Sequence, residues 1–549
     1  MIPTLAGLLL ARAEDDGPAL FFEDDHWSWR ELVREAAVRA AALEELRPDD
    51  GRPWHVGVLM DNTPEYLFLV AAAGLSGATL VGINPTRRGA ELAADIRATD
   101  CAALLVDPAY LPLLDGIDHG ARQVLVAGGP PYDALLGRHA DAVVEATELA
   151  QDPATTLLLL FTSGSTGTPK AVVCSTGRFA LLCQVTPLQL GRDDVAYNAM
   201  PMFHGNALMA SWGPCLVHGA TFALRRRFSA SGFLDDVRRF GATYFNYVGR
   251  SLSYVLAQPE RPEEGDNRLR MGFGTEASAR DRAEFQRRYG CELVESYGSS
   301  EGTCSIRRVP GTPEGALGLP AEATPVEVRS PDGATCPPAR FDADGRMLNP
   351  EEAIGEIVAV GAAPRFEGYY NNPAAGAEKI RGDDYWSGDL AYRDEDGWFW
   401  FAGRSADWLR VDSENFAAAP VERILSRHPD VAVAAVYAVP DARTGDRVMA
   451  TLEVTGRAEN FDLVAFAEFL NAQPDLGTKW APSLVRITAD LPVTATRKVD
   501  KPALKRLQWS GADPVFERVD GRYLPITAER DRELRDEFAR HRRTALLTT

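Results

Sequence analysis

HVGVLMDNTPEYLFLVAAAGLSGATLVGI, residues 55–83, decides how the chain is read. HVGVLM (55–60) is a short apolar run of the kind buried on both faces of a parallel sheet. PEYLFLVAAAGL (64–75) begins with a proline, which the first turn of a helix tolerates. ATLVGI (78–83) is a second buried strand. The charge-free stretch from 66 to 83 has the minimum length of a membrane span, but its glycines and the Ser-Gly-Ala break split it into helix, turn and strand. Working outward, AALLVD (102–107) and QVLVAG (123–128) repeat the strand signal. RGAELAADIRAT (88–99) spaces its apolar residues as a helix does. Such β-α-β alternation predicts parallel sheets covered by helices, an α/β fold.

The alternation runs through about the first 400 residues of the 549, a chain long enough for several packed units. Residues 314–346 change texture to Pro- and Gly-rich turns with short alternating strands, which predicts an antiparallel or barrel-like β section. After Arg404 the pattern restarts. VERILSRHP (421–429) is helical, VAVAAVYAVP (431–440) and VMATLEVT (448–455) are strands, and FDLVAFAEFLNAQ (461–473) is a helix. This predicts a large N-terminal domain over 1–404 and a small α+β domain over 405–549.

Hydrophobic residues make up 45% and charged residues 25%, which fits a soluble globular chain and excludes a disordered or fibrous one. Net charge is 58 − 78 = −20, so long-range attraction to a nucleic-acid backbone is excluded while a local cationic pocket is not. Seven scattered cysteines form no CxxC pair and read as reduced thiols of a cytoplasmic protein. The N-terminus has no basic region before its short apolar run and makes a poor signal peptide.

The strongest local motif is TSGSTGTPK, 162–170. Backbone N–H groups freed by glycine, with hydroxyls, can ring a phosphate, and the lysine neutralises its charge. It is not GxxxxGK[ST], and its flanks TLLLLF (156–161) and AVVC (171–174) both read as strands, whereas that loop runs from strand into helix.

This loop resembles the phosphate loop of the adenylate-forming enzymes, the superfamily of acyl-CoA synthetases, luciferases and peptide-synthetase adenylation domains. The resemblance continues in order through PMFHGNA (201–207), ESYGSSEG (295–302), YWSGDLAYRDEDGWFWFAGR (385–404) and LPVTATRKVDK (491–501). TYFNYVGRSLSYVLAQP (243–259) and ADWLRVDSENFAAAPVE (406–422) look like the very-long-chain acyl-CoA synthetase and fatty-acid-transport-protein branch, which includes bacterial fatty-acid and steroid side-chain CoA ligases. The resemblance implies ATP, Mg²⁺ and coenzyme A as co-substrates and cofactor, a hydrophobic acid as substrate, and a C-terminal domain that moves between two half-reactions. It also points to a homodimer, and a greasy substrate is compatible with peripheral membrane contact.

Site residues follow by the same resemblance. Thr162, Ser163, Gly164, Ser165, Thr166, Gly167 and Lys170 would hold the phosphates, with Thr162 also catalytic. Glu301 would be the Mg²⁺ ligand, Ser300 would lie beside the α-phosphate, Ser299 would be among the ATP-binding residues, and Tyr297 with Gly298 would face the adenine. Gly274, Thr275 and Glu276 match the adenine wall more loosely. Asp389 would accept hydrogen bonds from the ribose hydroxyls, and Arg404 would sit at the domain junction. Lys498 matches the lysine that bridges carboxylate and α-phosphate, and a point charge there would align the nucleophile. His204 matches the gate of the acyl tunnel, whose walls would be Phe203, Trp212, Tyr247, Val248 and Gly249. His218 reads as structural, and Arg225–Arg227 as a solvated charge run.

Three departures from the family pattern matter, for the hinge, for the loop that faces the thiol and for the placement of Lys498. Ala406 stands at the usual hinge position, Ser413 where a glycine is common, and Arg497 before the catalytic lysine, with Lys501 and Lys505 as neighbouring substitutes. An acceptor other than coenzyme A (an amine or a carrier-protein thiol) and a non-catalytic acyl- or nucleotide-binding relic are the competing readings.

Overall fold

A computed structural model describes the chain except residues 1, 163–169, 185–189, 322–323, 344, 346, 405–407, 412–413, 444, 478, 495–497 and 548–549. The chain packs as two units: Met1–Thr303 with Pro364–Glu378, and Cys304–Ala363 with Lys379–Thr549.

The first unit carries two helix-covered sheets. In one, Gln123–Val126, Ala103–Val106, His55–Leu59, Thr79–Gly82 and Thr156–Thr162 run parallel in that order, and Lys170–Ser175 closes the edge antiparallel. The strands of residues 55–128 fall where the buried apolar runs predict them. Helix Pro64–Ser76 is capped by Thr63, whose hydroxyl accepts from the Tyr66 N–H, and it ends at Gly77 with φ 85. That left-handed turn is what divides the charge-free stretch into helix and strand. Among the described residues no helix is long and apolar enough to cross a membrane.

In the other sheet, Glu292–Gly298, Met271–Thr275, Tyr244–Val248, Val195–Asn198, Thr221–Leu224 and Pro18–Phe22 are parallel, with Asp25–Ser28 antiparallel at the edge. Phe233, Phe245, Phe285 and Tyr289 pack against its strands as an aromatic core, ring to ring at 4.4–5.9 Å.

The second unit contains an antiparallel sheet built of Val326–Arg329, Gly355–Ala359, Asp384–Arg393, Ile380–Arg381 and Phe399–Arg404. Register shifts at Glu356/Val358 and Leu390/Ala391 bend it into a half-barrel. The barrel-like section is present, but only Val326–Arg329 of its strands lies in the Pro- and Gly-rich stretch 314–346, and the others extend over 355–404. A second, five-stranded sheet follows, with Val431–Pro440, Asp446–Val454, Leu484–Thr488, Val515–Val519 and Arg522–Pro525 in order. Ala418–Leu425 and Leu463–Asn471 bury Val421, Ile424, Phe466 and Leu470 in the cluster with Val436, Leu452 and Ile487.

Candidate active site

In parallel sheets, ligands gather outside the carboxyl ends of the strands. Of the sequence-predicted residues of the first unit, Thr162, Val248, Thr275 and Gly298 end their strands. Thr162 is the last residue of Thr156–Thr162 and Lys170 the first of Lys170–Ser175, and the two stand opposite each other in the ladder. Their backbones thus pair at the two ends of the segment expected to hold the phosphates. Ser163, Gly164, Ser165, Thr166 and Gly167 lie outside the described residues.

Lys170 is buried, and its ammonium lies 5.2 Å from the centre of the Tyr369 ring. The hydroxyl of Tyr369 donates to Glu301 Oε1 at 2.7 Å, and Glu301 is buried as well. Segment 364–378 thus joins the first unit by laying its backbone along Lys170–Ser175. The Tyr370 N–H donates to the Ala171 carbonyl at 2.8 Å and the Val173 N–H to that of Gly368 at 3.2 Å. Glu367 then accepts from the Ser175 N–H at 2.7 Å and from its hydroxyl at 2.5 Å. Arg178 links the same carboxylate, the Val173 carbonyl and the Ser300 carbonyl. The backbone just before Glu301 is therefore held by a guanidinium.

Strand Glu292–Gly298 brings Tyr297, half-buried, and Gly298, exposed, to its carboxyl end. Ser299 and Ser300 follow, partly exposed. Beside that strand, Gly274 and Thr275 end the strand Met271–Thr275, and Glu276 adopts φ 68, a conformation non-glycine residues take rarely. Two contacts hold this turn. Glu295 accepts from the Ala277 N–H at 2.8 Å and pairs with Arg282 at 3.0 Å. Gly249 also abuts the turn: a Cβ there would lie 2.0 Å from the Glu276 carbonyl oxygen. Only glycine allows the two strand ends to press together.

The proposed acyl walls divide into two groups. Phe203 and His204 sit ring to ring at 4.9 Å, and His204 precedes the short helix Gly205–Ala207. Asn62 anchors the segment before them, donating to the Met200 carbonyl at 3.0 Å and accepting from the Met202 N–H at 2.9 Å. Trp212 is fully buried in the π-turn Leu208–Trp212 and faces Phe179 at 6.1 Å. Tyr247 joins the aromatic core, 5.6 Å from Phe245, and burial with the nearby Glu295 pushes its phenol far up, so it stays protonated. Val248 ends its strand beside Gly249. Trp212 and Tyr247 are thus buried in the packing, while Phe203 and His204 lie just ahead of the helix Gly205–Ala207.

The run Arg225–Arg227 is tied up in ion pairs, Arg225 with Asp236 at 3.1 Å, Arg226 with Asp107 at 3.5 Å and Arg227 with Asp61 at 2.9 Å. His218 closes the helix Gly213–His218. Among the described residues no cluster of three or more His, Cys, Asp or Glu could cage a metal. One buried carboxylate among hydroxyls suits a hard cation that keeps its waters and shares substrate phosphates, as Mg²⁺ does.

The sequence model of the AMP-binding enzymes matches residues 10–370, and that of their C-terminal domain matches 420–498. The chain belongs to the AMP-binding enzyme family. It is 50% identical to a steroid-22-oyl-CoA synthetase of Rhodococcus jostii (strain RHA1), over 99% of either chain. It is 45% identical to a medium/long-chain-fatty-acid–CoA ligase, FadD17, of Mycobacterium marinum (strain ATCC BAA-535 / M), over 94% of this chain and 98% of that one. Among solved structures, the anthranilate CoA ligase AuaEII in complex with anthranoyl-AMP superposes with a TM-score of 0.80 at 22% identity, covering 92% of this chain and 96% of that one. A benzoate CoA ligase from Burkholderia xenovorans LB400 does so at 0.78 and 21%, covering 92% and 100%.

In the second unit of this AMP-binding enzyme, Asp389 and Arg404 stand directly opposite each other on paired strands. The Asp389 N–H donates to the Ser387 hydroxyl at 3.1 Å, while Lys379 donates to the Ser387 carbonyl at 2.5 Å. The Lys498 carbonyl accepts from the Thr494 N–H at 2.8 Å, just ahead of helix Lys501–Leu507. Lys501 is paired with Glu422 at 2.8 Å, so its ammonium already serves packing. Ala406, Ser413 and Arg497 lie outside the described residues. Sequence reading missed Tyr369, Glu367 and Arg178. Their only signal was the turn-rich GYYNNP (368–373), whose pairing with a strand nearly 200 residues earlier no local pattern reveals.

Proposed function

We infer that this AMP-binding enzyme is an ATP-dependent acyl-CoA ligase for a hydrophobic carboxylic acid, fatty or a steroid side-chain acid. The observation that carries the reading is the meeting of Lys170 and Glu301 at Tyr369. A charge-neutralising ammonium and a buried carboxylate at the two sides of one ring suit a triphosphate with its metal. End-to-end similarity to two ligases named for steroid and fatty acids supports the greasy substrate.

The reaction has two steps. A carboxylate oxygen bonds to the α-phosphorus as the bond to pyrophosphate breaks, giving acyl-AMP. The thiol of coenzyme A then loses its proton and bonds to the acyl carbon as AMP leaves. Mg²⁺, when bound, screens the phosphate charge that opposes the first step, and Glu301 would hold it. Thr162, Lys170 and the loop between them would bind the β- and γ-phosphates. Tyr297, Gly298 and 274–276 would hold the adenine, and Asp389 with Arg404 the ribose. Lys498 would align the carboxylate against the α-phosphate. Residues 405–549 would act as a lid turning about 404–407 between the steps, and Phe203 with His204 would admit the acid.

On this reading the enzyme would work in the cytoplasm as a homodimer, and its greasy substrate is compatible with peripheral membrane contact. The test incubates purified enzyme with ATP, Mg²⁺ and a panel of fatty and steroid side-chain acids, with coenzyme A, an amine or a holo-carrier protein as acceptor. Formation of the CoA thioester with equal AMP supports the reading. Transfer to the amine or carrier alone, or no turnover of any acid, overturns it.

A further inference from the structure

We propose that Tyr369 is a positioning residue that couples the magnesium-holding carboxylate to the phosphate-holding lysine. The inference rests on the roles given above to Glu301 and Lys170. Tyr369 touches both with different parts of one side chain. Its hydroxyl donates to Glu301 Oε1 at 2.7 Å, and its ring lies 5.2 Å from the Lys170 ammonium. It is buried, 7% exposed, and its backbone bridges to Val172 two residues beyond Lys170. The ring therefore cannot drift without moving the edge strand that ends the phosphate loop.

Each contact has a consequence for the nucleotide. A hydroxyl on one carboxylate oxygen restrains the Glu301 side chain, which would hold Mg²⁺. A hydrogen bond to a charged acceptor is among the stronger kinds, and burial strengthens it. The ring face attracts the ammonium and holds it by the loop before substrate arrives. The two charges that must bracket the triphosphate are thus spaced by one rigid aromatic group, and that spacing is set before binding. Arg178 braces the opposite side by binding the Ser300 carbonyl, so the carboxylate is fixed through backbone and side chain alike.

The test measures binding of a non-hydrolysable ATP analogue by calorimetry, with and without Mg²⁺, and without acid. Tyr369→Phe removes the hydroxyl and keeps the ring. The expected result is a protein that still unfolds cooperatively, with unchanged metal-free affinity and a Mg²⁺-dependent gain in affinity reduced by about tenfold. In a Glu301→Gln background the same substitution is expected to add nothing further to the Mg²⁺ effect, because the charge that Tyr369 positions for the metal is gone. A Tyr369→Phe protein that keeps the full Mg²⁺ gain overturns the proposal, as does equal loss with and without metal. If the unaltered enzyme gains no affinity from Mg²⁺, the nucleotide reading itself falls, and this inference with it.

Discussion

Glu301 and Lys498 are single side chains with separable tasks, and two substitutions distinguish them. Glu301→Gln keeps shape and the hydrogen bond from Tyr369 but loses the charge that suits a divalent cation. Adenylation should fall by roughly 10²-fold or more, with the Mg²⁺ concentration for half-maximal rate displaced upward. Lys498→Ala should cost a similar factor in adenylation without moving that Mg²⁺ midpoint, and should spare thioester formation from supplied acyl-AMP. Stopped-flow assays of the two half-reactions over a Mg²⁺ series check both. Equal loss in both half-reactions would show that Lys498 works elsewhere. At this scale the sequence was informative where a residue's chemistry is local: Lys170 next to a Ser/Gly-rich turn reads as a phosphate site by itself. Tyr369 is different. Its role comes from meeting Glu301 and Lys170 across 68 and 199 positions, and nothing in the neighbouring residues announces it.

Among elements, the strand ends carry the site, and their closeness is a packing condition. Gly249→Ala would drive a Cβ into the Glu276 carbonyl. Overpacking of this kind costs about 1–3 kcal/mol, and the nearest relief is to push the 274–276 turn away. The expected outcome is a lower thermal midpoint together with a raised KM for ATP. Gly137→Ala, in helix Pro130–Arg138 with open space around it, is the control and should not destabilise. A Gly249→Ala enzyme with both properties intact would show that the turn does not shape the nucleotide site. Period and punctuation made these elements legible: fully buried strands show as unbroken apolar runs, and Gly77 marks where helix Pro64–Ser76 must stop. The parallel order of the strands was legible as a class. Which strands adjoin was not, because Thr79–Gly82 pairs with Thr156–Thr162 through long-range burial that no turn residue encodes.

For the molecule as a whole, charge and burial set the response to its surroundings. All seven cysteines are free and buried, and burial pushes the thiols of Cys101, Cys174 and Cys291 up to about 12, so they stay protonated and unreactive. His55 is buried with Nδ1 at 2.8 Å from the Thr99 carbonyl and its ring edge-on to Tyr370. Burial lowers its pKa below the ordinary 6.5, so the unfolded chain binds the proton more readily. Its contribution to stability is therefore complete above about pH 6.5 and is lost as pH falls through the folded-state value. Thermal midpoints recorded between about pH 7.5 and about pH 5 should decline on the acid side, and His55→Phe should flatten that decline. A variant with the same acid slope as the parent would assign the loss to other groups.

The activity itself rests on activation of a carboxylic acid as its adenylate, and isotope exchange between labelled pyrophosphate and ATP reads that step without any acceptor. The account predicts exchange that requires both Mg²⁺ and a lipophilic acid and proceeds in the absence of coenzyme A. Exchange indifferent to the acid, or ADP and phosphate as the products of ATP, would contradict it.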